Sequence, residues 1–129
     1  MAIQDGIYAF LIADAGVSAI VGTRVYPILM PQNPTFELIT YQKISGVRGK
    51  QLSGTTGYAR PVIQIDCWAE SFLTAQTLAD AVRSAVDGYS GLMGSDVVDR
   101  AQIMNEMDLY ENETQIFRVS QDYEIWHTE

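Results

Sequence analysis

The stretch Pro61 to Ala69 alternates, and two residues later the period changes. Ile63, Ile65 and Cys67 share one side of an extended segment, with Gln64, Asp66 and Trp68 on the other. From Ser71 to Asp87 the apolar residues Phe72, Ala75, Leu78, Ala79, Val82, Ala85 and Val86 follow helical spacing. Ser71 is placed to cap the N-terminus and Gly88 to follow the C-terminus. A half-apolar strand feeding an alanine-lined helix has one economical solution, in which the helix lies close against the strand's apolar side. The rest of the chain must complete that sheet or add to that layer.

The flanking segments do both. Ile3, Ile7, Phe10 and Leu11 form one stripe over a predicted helix from Ile3 to Ala13, which Gly16 can end. A short turn from Val17 to Val21 stops at Gly22. Arg24 to Met30 is interrupted by Pro27, which cannot donate to a ladder, so it reads as an edge strand. Phe36 to Ser45 is rich in strand formers. Tyr89 to Gly94 reads as a flexible glycine-containing loop. Two further strands, Val97 to Leu109 and Gln115 to Trp126, flank an acidic turn, with Ala101, Ile103, Met107 and Leu109 expected on one side of the first. The predicted architecture is α+β: one domain over 1–129, two layers, a mostly antiparallel sheet with helices on one face, and a long β-hairpin arm.

That arm is the segment Gly46 to Ala59, GVRGKQLSGTTGYA, read as an extended basic loop. It holds four glycines, and Lys43, Arg48, Lys50 and Arg60 lie in or beside it. No acidic residue falls between Glu37 and Asp66, although the chain as a whole carries a net charge of -8. A long loop in a small domain is usually functional or disordered. A basic limb on an acidic body suggests a grip on a partner, and the acidic group Glu106, Asp108, Glu111 and Glu113 is a candidate counterpart on another copy. The acidic balance disfavours non-specific DNA binding, yet suits a channel through which DNA slides without sticking.

Catalytic and ligand-binding patterns fail on inspection. The single cysteine, Cys67, sits among apolar neighbours and reads as a buried small hydrophobe. The single histidine, His127, reads as a fraying terminal residue. One cysteine and one histidine make neither a disulfide nor a Cys/His zinc site. Gly49-Lys50 lacks the first glycine and the hydroxyl residue of a phosphate-binding loop, with Ile44 and Gln51 in those places. Glu113 replaces the glycine that a calcium loop starting at Asp108 requires. No catalytic residue, cofactor or metal is expected. The apolar run Ile7 to Ala13 is too short to cross a bilayer and lacks a basic leader, so a cytosolic product of its host cell is expected. Trp68 and Trp126 are grouped with polar residues, opposite the apolar set, which fits either the edge of a core or a subunit contact.

Taken together, Arg24-Val25-Tyr26-Pro27, Met30-Pro31-Gln32, Tyr41-Gln42-Lys43-Ile44-Ser45, the block Val62 to Ala69 with its following helix, Asp108-Leu109-Tyr110-Glu111 and Gln121 to Trp126 resemble phage tail completion proteins. These are the tail terminators of long non-contractile-tailed phages, prophages and gene transfer agents. The resemblance covers nearly the whole chain in order. It implies a structural virion protein without catalytic residues, forming a ring, typically hexameric, at the head-proximal end of the tail tube. Such a ring stops tube polymerisation and presents the head-joining surface. The implied partners are further copies of the chain, the major tail tube protein and a head-tail connector or stopper protein, with DNA passing through the lumen. Three alternatives stay open at this point: a connector or stopper ring, a tube subunit, and a small α+β enzyme using Cys67 or the acidic group.

Overall fold

The computed structural model describes residues 3–29, 31–32, 34–45, 48–51, 54–59, 61–94, 96–112 and 115–128, with backbone alone at 3–4, 45, 48–51, 54–59, 96 and 128. Helices α1 (Ile3–Ala13) and α2 (Ala15–Val21) come first, then strands β1 (Val25–Pro27), β2 (Leu38–Ser45), β3 (Arg48–Gln51), β4 (Gly54–Ala59) and β5 (Val62–Ala69). Helix α3 (Phe72–Val86) follows, then β6 (Gly91–Met93), β7 (Asp96–Glu111) and β8 (Ile116–Thr128). The body is a sheet in the order β1-β2-β5-β8-β7-β6, antiparallel except for the β1–β2 pair. The α+β expectation is met.

The centre of the sheet is the β5–β8 ladder, from Val62↔Glu124 to Ala69↔Phe117 without a shift in register. Its odd-numbered residues face the helices. Ile63, Ile65, Cys67, Val119, Tyr123 and Ile125 join Ile7, Leu11, Val17, Leu78 and Val82 in one core. Burying each such large apolar side chain is worth about 1.5–3 kcal/mol relative to leaving it in water. Ala75 and Ala79 let α3 approach closely, and the buried Gln121 uses that proximity. Its Nε2 donates to the Ala79 carbonyl (3.0 Å), and its Oε1 accepts from the Tyr123 hydroxyl (2.9 Å). Both polar ends of a fully buried amide are thereby satisfied.

Helix boundaries follow local chemistry. Asp14 interrupts the first helical stretch because its side chain caps α2, accepting from the Val17 amide at 3.0 Å. Gly16, expected to end α1, lies inside α2 instead. The Ser71 hydroxyl accepts from the Thr74 amide, and Gly88 follows α3 with φ 80, a conformation that suits glycine.

Several expectations need correction. The stretch read as a basic loop contains a hairpin, β3 paired with β4. The Tyr89–Gly94 loop contains β6, which pairs with the start of β7. His127 does not fray: it is 5% exposed, within β8, opposite Val98 and Ala59. In β7 the register shifts between Ile103 and Asn105, inserting one extra residue. That bulge reverses the side-chain parity, so Ala101 and Ile103 face the helices whereas Met107 and Leu109 face away.

Tyr123→Phe should leave Gln121 Oε1 buried without its donor. The expected cost is about 1–2 kcal/mol, read as a lower urea midpoint with an unchanged slope.

Candidate functional site

Strand alternation gives the sheet a second face, and among the described residues no helix covers it. Thr40, Gln42, Gln64, Asp66, Trp68, Arg118, Ser120, Asp122, Glu124 and Trp126 lie there, as the registers of β2, β5 and β8 require. Toward one end Trp68 packs with Leu38 and Ile116, flanked by Tyr26 and Phe36. The Trp68 indole N–H donates to Thr40 Oγ1 at 2.9 Å, and the Arg118 guanidinium lies over the indole ring, 4.9 Å from its centroid. Toward the other end the Trp126 indole donates to Glu124 Oε1 (2.9 Å), and Gln42 Nε2 donates to Gln64 Oε1 (3.0 Å). Both tryptophans thus stand on the polar side of the sheet, as the alternation predicts.

Between the two aromatics sits an incompletely satisfied polar cluster. Asp66 is 7% exposed, and its Oδ2 is 3.6 Å from Arg118 Nη1. Asp66 Oδ1, Asp122 Oδ1 and Arg118 Nε are each buried without a hydrogen-bond partner. Burial pushes the Asp66 carboxyl above the usual carboxylate range. The Ser120 hydroxyl and Arg118 oppose that rise, and the Asp122 charge adds to it. The sequence pairs Asp66 with Trp68 and Arg118 with Trp126, but the meeting of Asp66, Arg118 and Asp122 becomes readable only once β5 is set in register against β8.

The sequence-predicted residues are scattered. Lys43 is exposed near the end of β2, and Arg48 and Lys50 lie on β3, with their side chains outside the described residues. Arg60 and Glu113 also lie outside the described residues. Glu106 is bound within its own chain, accepting from Arg83 Nη1 at 2.8 Å while Arg83 also pairs with Asp80. The bulge in β7 places Glu106 and Asp108 on the helix side, whereas Glu111, opposite Ile116, is on the open side. The four acids therefore do not share one surface.

The arm is tied to its own body at its base. Tyr58↔Thr128 and Ala59↔His127 continue the β5–β8 register past Pro61, on the same edge of β8. Beyond that point β4 runs outward past the end of β8, and β3 forms the outer edge of the sheet. A second protruding feature escaped the sequence reading: Ile28 (65% exposed, φ 64) and Leu29 (78% exposed) directly after β1. A positive φ is unusual for a β-branched residue. The only warning in the sequence is two large apolar residues between prolines.

Chemistry at Cys67 is opposed by its surroundings. The thiol is fully buried, and burial drives it strongly away from the thiolate, with Asp66 and Glu106 adding to the effect. Among the described residues no group of three or more His, Cys, Asp or Glu side chains is arranged to hold a metal ion. No helix is long and apolar enough to cross a membrane.

Residues 5–128 match the family described as tail completion protein gp17. The chain belongs to that family. As a tail completion protein it is a structural component of a phage-type tail. Among solved structures, a chain from the virion of a native gene transfer agent particle shares its fold. The TM-score is 0.77 at 22% identity, over 99% of this chain and 96% of that one. No individually curated protein matches the sequence.

Two outcomes follow for this tail completion protein. The folded pKa of Asp66 lies above its unfolded value of about 3.9. Its contribution to stability is therefore complete below about 3.9 and is lost as pH rises through the folded pKa. Asp66→Asn removes that loss, so the stability of the variant relative to wild type should climb between about pH 3.5 and 7 in urea titrations. Cys67 should react with a thiol reagent slowly in the native protein and rapidly once unfolded.

Proposed function

We propose that this tail completion protein acts as one domain over 1–129 and assembles into a closed ring, a hexamer, at the head-proximal end of the tail tube. The ring ends tube polymerisation and provides the surface that joins the head. Its partners are further copies of itself, the major tail tube protein and a head-tail connector or stopper protein. DNA passes through the lumen without specific contact, consistent with a net charge of -8. The observation that carries this reading is the match to tail completion proteins over residues 5–128.

The geometry supplies a means of ring closure. A ring requires heterologous contacts, one patch meeting a different patch on the next copy. A hairpin that leaves its own body past the end of β8, in a segment holding Lys43, Arg48, Lys50 and Arg60, is suited to be one of those patches. Opposite charges would set register and steer approach, with apolar contacts contributing most of the affinity.

Deleting the gene and imaging the particles tests the placement. Overlong tails without heads are expected for a lost terminator. Full-length tails beside heads that leak DNA would instead identify a stopper. Arg48→Glu with Lys50→Glu should reduce head-joined particles while leaving the urea midpoint of the purified subunit unchanged. Normal assembly by that variant would remove the arm from the ring contact.

A further inference from the structure

In the ring reading, the basic arm needs a seat on the next copy. Glu106 is poorly placed to be that seat, because Arg83 of its own chain already holds its carboxylate and Glu111 lies on the opposite side of the sheet. We propose that the strip around Asp66 and Asp122, on the open face of β5 and β8, receives the basic arm of a second copy of this chain. The proposal rests on the ring reading and adds the receiving surface.

Three observations carry it. The first is charge. Asp66, Asp122 and Glu124 share the open face of the two central strands, where Arg118 is the one cation, whereas residues 38–65 contain no acid and all the charges of the arm are positive. The second is unmet bonding capacity. The Asp66 side chain is 10% exposed, and its Oδ1 has no partner, like Asp122 Oδ1 and Arg118 Nε. A buried acceptor left unbonded is costly, and more so when charged. Arg118 is the cover and is itself 28% exposed, so a change in its rotamer opens the cluster. A lysine or guanidinium group from the arm brings donors for the two carboxylates. The outer edge of β3 brings backbone carbonyls that Arg118 Nε can bond.

The third observation is direction. β4 and β5 lie on one edge of β8 in a single register, so the arm prolongs the line of β5 outward, away from Asp66. From Ala59 to Asp66 the strand spans roughly 20 Å at about 3.3 Å per residue. The arm therefore points away from the strip on its own subunit and toward that of a neighbour.

Reciprocal charge exchange in assembling particles tests this. One variant carries Arg48→Glu and Lys50→Glu on the arm, and the other carries Gln64→Lys and Asp122→Lys on the face. Expressed alone, each should lower head-joined particles roughly tenfold or more, because like charges then meet. Co-expressed, they should restore assembly, since every arm in an alternating ring meets a face of opposite charge. Normal assembly by the face variant alone overturns the proposal. So does failure of co-expression to restore assembly when each variant keeps the wild-type urea midpoint.

If the face variant unfolds, the near-isosteric Asp66→Asn takes its place. Reduced assembly with retained stability supports the seat, and normal assembly overturns it. Gene deletion separates the two levels. Normal tails and joining after deletion would sink the ring reading itself, whereas defective tails after deletion with indifferent face variants would sink only the seat.

Discussion

The β5–β8 ladder is the constraint on which the molecule depends. Eight register pairs run from Val62↔Glu124 to Ala69↔Phe117 without a shift. Because side chains alternate, that one ladder assigns every odd residue to the helices and every even residue to the open face. The apolar half brings α3 close and encloses Gln121. The polar half gathers Asp66, Arg118, Ser120 and Asp122 between two tryptophans. A slip of one residue would exchange the halves, placing Asp66 and Asp122 beneath α3 and Ile65 and Tyr123 in water. The core and the candidate interface are thus two readings of a single register.

Much of this was legible in the chain. The periods on either side of Glu70 identify β5 and α3, and the capping chemistry at Ser71 and Gly88 marks the helix ends. The unequal sides of Pro61 to Ala69 already place Trp68 and Asp66 opposite the core. What was hidden depends on pairing across distance. The bulge near Met104 carries no local mark, because an inserted residue looks like any other until a partner strand counts past it. β3 and β4 are rich in glycine and poor in large apolar residues, so their strand character comes from pairing with each other and, for β4, with the end of β8. His127 looks terminal by position, yet its neighbours on both sides make it internal.

The acidic residues illustrate the same limit. Spacing along β7 groups Glu106, Asp108 and Glu111, but the fold divides them between two faces and gives Glu106 to Arg83. Asp66 and Asp122 are 56 positions apart in the sequence, and a diagonal across the central ladder brings them together. Charge patches on a sheet are read across strands, whereas sequence inspection reads along them.

The attachment of the arm has a mechanical consequence. Its ladder to the body comprises Tyr58↔Thr128 and Ala59↔His127, and Pro61, which has no amide hydrogen to offer, separates it from the central strands. A pull on the limb would load those last rungs first and unzip them in sequence from the tip, leaving the ladder that holds the helices unstrained. The protein is therefore built with a sacrificial coupling, one that can yield and re-form under tension while its interior stays folded.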